Sequence, residues 1–277
     1  MLKIDAHQHF WKFDSVRDSW IDESMSVIQR DFLPEDLKPI LDEAGFDGCV
    51  CIQSDQTEEE NLFHIELAAT NPFIKGIVGW VDLQREDIEN RLQYWKQFEI
   101  LKGFRHVLQG EQDRALMLKP DFCLGISKLE QFGFTYDILI FPDQLQFVPQ
   151  LLNKFPNQKF VIDHLAKPYI KDKKILGWKQ EIQAIANFEN VYCKVSGMVT
   201  EAHWKNWNGQ DFRPYLDVVF SSFGAKRLMF GSDWPVCLVA AEYKEVVGIV
   251  EDYTSKLSKD EQEAFWGLNA KEFYSLV

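Results

Sequence analysis

Lys159-Phe160-Val161-Ile162-Asp163-His164-Leu165-Ala166 is a short run of apolar, β-branched and aromatic residues that turns polar near its end and stops before Pro168. Successive strand side chains point to opposite faces, so a run with no apolar–polar alternation is a strand buried on both sides. That is the condition of a parallel sheet covered by helices. Working outward, comparable runs occupy residues 2–7, 48–54, 74–83, 101–109, 135–141, 191–197 and 227–234. Helical patterns separate them. Leu37, Ile40, Leu41 and Ala44 fall at i, i+3, i+4 and i+7 before Gly45, a helix stop. Phe147, Val148, Leu151, Leu152 and Phe155 form another apolar stripe, residues 128–132 end against Gly133, and residues 258–276 read as extra helix. Eight strand-then-helix units predict an α/β fold closed as a (β/α)8 TIM barrel, one domain over residues 1–277. The rival, an open doubly wound sheet, often carries G-x-G-x-x-G after its first strand, and no such glycines follow here.

Composition narrows the function classes. The formal net charge of -13 argues against nucleic acid or an anionic membrane as partner, since both reward basic surfaces. No apolar run approaches membrane-spanning length, and the start Met1-Leu2-Lys3-Ile4-Asp5 lacks the pattern of a signal peptide. Five scattered cysteines (Cys49, Cys51, Cys123, Cys193, Cys237) without a C-x-x-C pair fit reduced thiols, so a cytoplasmic location is expected. Oligomeric state stays open, a homo-oligomer included.

In a barrel of this kind the chemistry lies at the C-terminal strand ends. His7 and His9 close the first strand and, at period two, face the same side, as a metal chelate requires. His164 ends the sixth strand and Asp233 the eighth. Each has a bland reading: a histidine bonded to a carbonyl, an aspartate capping the next helix. Together they form a set that the bland readings must explain one by one.

Three motifs carry a resemblance: Ile4-Asp5-Ala6-His7-Gln8-His9-Phe10-Trp11, Asp163-His164-Leu165-Ala166-Lys167-Pro168 and Gly231-Ser232-Asp233-Trp234-Pro235. Their sequence resembles the amidohydrolase superfamily and, within it, the branch of sugar-lactone hydrolases such as L-fuconolactonase and L-rhamnonolactonase. Lys102-Gly103-Phe104-Arg105-His106 and Tyr192-Cys193-Lys194-Val195-Ser196-Gly197 look like that branch too. The resemblance implies a barrel with His7, His9 and His164 facing the centre and Asp233 handling the attacking water. Two-metal members use a lysine or glutamate on the fourth strand and a histidine on the fifth. The later half of the fourth strand here has Arg105 and His106, and the fifth has Tyr136 and Asp137. One divalent metal, zinc first, or none is therefore expected, with His7, His9, His164 and Asp233 as ligands.

Opening a lactone needs a polarised carbonyl, a deprotonated water and a proton for the departing alkoxide. Asp233 is the expected general base, with a pKa raised by burial, and His164 works beside it. With metal, the imidazoles hold a Lewis acid; without it, they donate to the developing oxyanion. Expected substrate contacts are Arg105, Tyr136, Lys194, His203, Trp11 and Trp234, with a sugar lactone as small-molecule partner and carbohydrate metabolism as setting. His64 reads as a solvated surface residue. The alternatives are a metal-dependent decarboxylase of a small unsaturated or aromatic acid and a non-catalytic binding barrel, which would tolerate Asp233→Asn.

Overall fold

The computed structural model describes all 277 residues. Eight parallel strands lie in sequence order around one sheet: β1 (Ile4–Gln8), β2 (Gly48–Ile52), β3 (Ile74–Gly79), β4 (Leu101–His106), β5 (Thr135–Ile138), β6 (Phe160–Ile162), β7 (Val191–Val195) and β8 (Leu228–Phe230). A helix follows each strand: α1 (Pro34–Ala44), α2 (Glu58–Thr70), α3 (Ile88–Trp95), α4 (Pro120–Phe132), α5 (Val148–Lys154), α6 (Leu176–Ile185), α7 (Gly209–Phe223) and α8 (Tyr243–Thr254). The strands are buried because the helices cover their outer faces, and the large apolar cluster lies between the two layers. A smaller cluster, including Ala6, Ile52, Val78, Val161 and Met229, fills the barrel, and Phe273 and Tyr274 plug its lower end. The α/β barrel expected from the alternation is thus the observed architecture.

Closure between the first and last strands depends on a few bonds rather than a full ladder. His9 N donates to Trp234 O at 2.7 Å and Asp233 N to His7 O at 2.8 Å. Asp5 completes the latch: Ser232 N (2.9 Å), Ser232 Oγ (2.6 Å), Tyr243 Oη (3.1 Å) and His7 N (3.1 Å) all donate to its carboxylate. The chain around Asp233 is therefore fixed to β1 on both sides.

Seven of the eight strands stop earlier than expected, and for three of them the local reason is plain. The 74–83 run ends at Gly79 because the Asn61 side chain takes the next residue, accepting from Trp80 N at 2.8 Å and donating to Trp80 O at 2.7 Å. The 227–234 run ends at Phe230, where Ser232 and Asp233 turn toward β1. The 159–166 run ends at Ile162, just before the backbone becomes left-handed from His164 onward. The extra C-terminal helix is broken in two, Lys259–Glu263 and Asn269–Phe273, by a π-helical turn.

His64 is not a solvated residue. It is 1% exposed, with Nε2 3.0 Å from Phe10 O, because α2 lays Asn61 and His64, three residues apart, on its inner face. Burial pushes its pKa down. All five cysteines are free and buried. No helix is long and apolar enough to cross a membrane.

Candidate active site

His7 leaves β1 with its ring between two charged layers. Its Nδ1 lies 3.3 Å from Asp163 Oδ1 and 3.2 Å from Lys194 Nζ; its Nε2 lies 3.3 Å from Arg105 Nη1 and 3.8 Å from Asp233 Oδ1. His9 places Nδ1 2.8 Å from the Ile52 carbonyl, which fixes the proton there and turns Nε2 to within 3.4 Å of Asp233 Oδ1. His164 holds Nδ1 2.9 Å from Ser196 Oγ and presents Nε2 3.8 Å from the same oxygen. Three imidazoles thus converge on one carboxylate oxygen. Close packing leaves no room for larger neighbours: a Cβ on Gly197 would lie 2.6 Å from His164 Nδ1, and one on Gly231 2.5 Å from His7 Cβ.

The backbone reaches this geometry through strain. His164, Leu165, Ala166 and Lys167 have φ of 54°, 55°, 56° and 50°, a left-handed turn with no glycine in it. L-residues there lose about 1–2 kcal/mol each. Asp233 is left-handed too, at φ 60°. Strain gathered at two chain reversals that carry converging polar groups points to a working site.

Burial and neighbours set the protonation states. Burial pushes His7 and His164 well below the ordinary imidazole value, against Asp163 and Asp233 respectively, so both rings are neutral. For Asp233, burial acts to raise the pKa, but His164, His9 and Lys167 overcome it and hold the carboxyl below its ordinary value. The expectation of a raised pKa is therefore corrected: the group is buried, but its surroundings favour the anion. An ionised carboxylate beside three ring nitrogens can take a proton from water or join in holding a cation.

Beneath these groups lies a buried ionic layer. Lys194 Nζ is 2.5 Å from Asp137 Oδ2 and 3.0 Å from Asp163 Oδ1, and Arg105 Nη1 is 3.0 Å from Asp163 Oδ2. Gln53 Oε1 accepts from Arg105 Nε at 2.9 Å and Nη2 at 2.7 Å, and the Gln53 carbonyl also accepts from Nη2. Burial drives the Asp137 carboxyl up to about 6, against Lys194. Burial also acts to raise Asp163, but Lys194, His7 and Arg105 hold it far below the carboxylate range.

Above lies a cavity of about 400 Å³, lined by His9, Arg105, His164 and Asp233 on its floor and by Trp11, Arg17, Asp18, Trp20, Asp55, Gln56, Gln109, Leu139 and Lys167 on its walls. It is of a size for a small molecule.

A family model described as amidohydrolase matches residues 4–276, nearly the whole chain. The chain belongs to the amidohydrolase family. It is 37% identical to an L-fucono-1,5-lactonase of Burkholderia multivorans, covering 99% of this chain and 96% of that one. A Burkholderia ambifaria L-fucono-1,5-lactonase is 32% identical over 99% of this chain and 96% of its own. Crystal structures of a Burkholderia multivorans amidohydrolase, one with bound HEPES and one with bound zinc, superpose with TM-scores of 0.96. They cover 100% of both chains at 37% and 38% identity respectively.

In this amidohydrolase the side chains of His7, His164 and Asp233 offer ligand atoms all within 4.8 Å of one another, a candidate metal site; His9 approaches it through Asp233. Arg105 and Trp11 line the cavity. The other expected substrate contacts stand elsewhere. Lys194 is wholly buried beneath His7, too deep for the cavity wall. Tyr136 faces outward from β5, with its ring against Phe122 and Phe160, because the neighbouring Asp137 takes the inward position. Trp234 packs against Phe10 and Phe32. His203 lies in a separate cleft with Trp204 and Glu201. Lys167, Arg17, Asp18, Trp20 and Asp163 were missed. Asp163 and Lys167 share one motif with His164, a signal the sequence carries; residues 17–20 come from an irregular segment without periodicity.

Proposed function

We propose that this amidohydrolase is a lactonase that opens a neutral sugar lactone to its aldonic acid, with Asp233 as the general base for water. The observation that carries this is the cavity's charge balance. Both of its guanidinium groups are already engaged: Arg17 bonds Asp18 at 2.8 and 2.7 Å, and Arg105 bonds Asp163 at 3.0 Å. A substrate carboxylate finds no free guanidinium fork, whereas a neutral polyol meets alternating donors and acceptors beside the Trp11 and Trp20 rings. The two Burkholderia lactonases, similar over nearly the full length, support the same substrate class.

In this reading a water molecule lies between Asp233 and the lactone carbonyl. The ionised carboxylate takes its proton as the water oxygen adds to the carbonyl carbon. Arg105, fixed by Gln53 and Asp163, supplies a preorganised positive field beneath the developing oxyanion.

The donor set fits one divalent cation. His7 and His164 have Nδ1 against Asp163 and Ser196, which leaves both Nε2 atoms on the Asp233 side, that of His7 also 3.3 Å from Arg105 Nη1, as zinc ligands would stand. The zinc-bound Burkholderia multivorans structure supports zinc here. Arg105 stands beside His7 on β4, a fixed cation that disfavours a second metal. What the metal supplies when bound is Lewis acidity toward the carbonyl oxygen.

The test is acid release, followed with a pH indicator, from L-fucono-, L-rhamnono- and D-galactonolactone, corrected for spontaneous opening. The wild type is expected to hydrolyse at least one. Asp233→Asn is expected to lower its kcat by about 10²–10⁴-fold. No release above background from any lactone by the zinc-loaded wild type overturns the reading and points to decarboxylation.

A further inference from the structure

A sugar lactone held with its carbonyl carbon beside Asp233 has its exocyclic carbons at the far end, away from the reacting bond. What meets that end acts on which sugar is taken, and a row of rings leads to it. The His9 ring, whose Nε2 is 3.4 Å from Asp233 Oδ1, has its centre 6.3 Å from that of Trp11. The Trp11 ring is in turn 6.1 Å from that of Trp20, edge to face. All three side chains line the same cavity. His9 is 4% and Trp11 2% exposed, whereas Trp20 is 45% exposed, so the row runs from floor to rim.

Of the nine tryptophans in the chain, Trp20 alone is exposed. Trp11 is committed to the fold, its indole N–H donating to Arg30 O at 2.9 Å. The other apolar side chains of the cavity have less surface to offer, since Leu139 is buried and Val107 and Val236 are half-buried. The side chains from the loops after β2 and β4, Asp55, Gln56 and Gln109, are polar.

The position of Trp20 is built. Trp11 and Phe32 close the ends of its segment with two backbone bonds, Trp11 N to Phe32 O at 3.0 Å and Phe32 N to Trp11 O at 2.9 Å. Inside the segment the Asp18 carboxylate, 5% exposed, accepts from Arg17 Nε at 2.8 Å, Arg17 Nη2 at 2.7 Å and Asp14 N at 2.9 Å. Ile21, buried, donates its N–H to Asp18 O at 2.8 Å, a turn that spans Trp20. Trp20 thus stands between two buried neighbours with its indole outside the core. An indole placed so forgoes the burial that a tryptophan ordinarily gains, and at the rim of a site it offers that surface to a ligand.

We propose that Trp20 is a specificity-determining residue, whose indole packs against the exocyclic end of the lactone and favours the methyl of a 6-deoxy sugar over a hydroxymethyl. The inference rests on the lactonase reading. An indole and a methyl group gain by dispersion and by leaving water together, whereas a hydroxymethyl must keep its hydroxyl paired or wet. No bond changes at this end of the substrate, so the contact is equal in the ground state and the transition state and acts on KM.

The test uses pairs of lactones of equal ring size that differ only by a 6-hydroxyl: L-fucono- with L-galactono-, L-rhamnono- with L-mannono-, and D-fucono- with D-galactonolactone. In whichever pair the wild type opens, kcat/KM is expected to be about 10-fold higher for the 6-deoxy member. Trp20→Ala is expected to raise KM for that member by about 10-fold, to leave kcat within a few-fold, and to bring the two members level. Trp20→Phe keeps an aromatic face and is expected to keep most of the preference. Both variants are expected to melt close to the wild type, because the ring is half outside the fold. A wild type indifferent to the 6-hydroxyl, a preference unchanged in Trp20→Ala, or a loss shared equally by both members overturns the proposal. So does an unchanged KM with a lower sedimentation mass, which would make Trp20, with the exposed Val16 and Val27 of its segment, a contact between proteins. If the wild type opens no lactone, the lactonase reading has failed and this inference with it; if it does and Trp20→Ala keeps the preference, only the role of Trp20 has.

Discussion

Two layers of polar side chains fill the top of this barrel, and they differ in how their charges are paired. The lower layer, Asp137, Lys194, Asp163 and Arg105, has two cations set against two carboxylates at 2.5–3.0 Å, wholly or almost wholly buried. The upper layer, His9, His164 and Asp233, has three contacts of His7, His9 and His164 to one carboxylate oxygen at 3.4–3.8 Å, all outside good hydrogen-bond range. Pairing of the first kind removes charges from further use. Spacing of the second kind leaves lone pairs and a carboxylate for a water, a substrate or a cation. His7 joins the layers, with Nδ1 on the lower and Nε2 on the upper.

If the layers differ as described, they respond to substitution in opposite ways. The largest effect is on rate: Asp233→Asn, expected to slow turnover by about 10²–10⁴-fold, should leave the denaturation midpoint nearly unchanged, because the upper layer contributes little pairing energy. Next comes Lys194→Met, which leaves Asp137 and Asp163 buried without their shared cation. Breaking a buried pair on one side costs about 3–5 kcal/mol. Urea denaturation should show that loss, and a variant as stable as the wild type would erase the distinction between the layers.

How much of this was readable in the sequence follows from the range of each interaction. The barrel rests on local patterns, apolar runs alternating with 3.6-residue stripes, and those carry over. His7, His9, His164 and Asp233 are brought together because strand ends in a parallel barrel all open onto one face. The lower layer was not readable: Lys194 and Asp137 are 57 residues apart, and Arg105 and Asp163 are 58 apart, so nothing local links them. Nor was the turn at residues 164–167, since His-Leu-Ala-Lys has no glycine to announce a left-handed backbone. The depressed pKa of Asp233 depends on neighbours from two other segments, the turn of His164 and Lys167 and the end of β1 with His9. His64 misled because a histidine on a charged helix ordinarily faces water.

A smaller effect tests the latch that holds the upper layer to β1. Burial pushes the Asp5 carboxyl up to about 6, against hydrogen bonds from Ser232, His7 and Tyr243. The folded-state pKa exceeds the ordinary value of 3.8, so the folded state binds more protons between these limits. Its contribution is present in full below pH 3.8 and is lost as pH rises through about 6. The Asp5→Asn variant lacks this titration. Relative to wild type it should gain roughly 2–3 kcal/mol between pH 4 and 7, at about 1.4 kcal/mol per pKa unit. A difference independent of pH would mean that the latch carboxylate is not perturbed.

The smallest effect falls at the bottom of the lower layer. Tyr274 closes the barrel floor and donates its hydroxyl to Asp137 Oδ2 at 2.8 Å, on the oxygen that also meets Lys194. Tyr274→Phe removes this one donor and keeps the ring that packs in the barrel. Asp137 retains Lys194, so no charge is left without a partner, and the loss should be about 1 kcal/mol, the ordinary value of one hydrogen bond. The rate should not change, because Asp137 reaches the upper layer only through Lys194 and His7. A fall in kcat without a fall in stability would show that the two layers titrate as one unit. Unchanged kcat with a small stability loss would confine the lower layer to support.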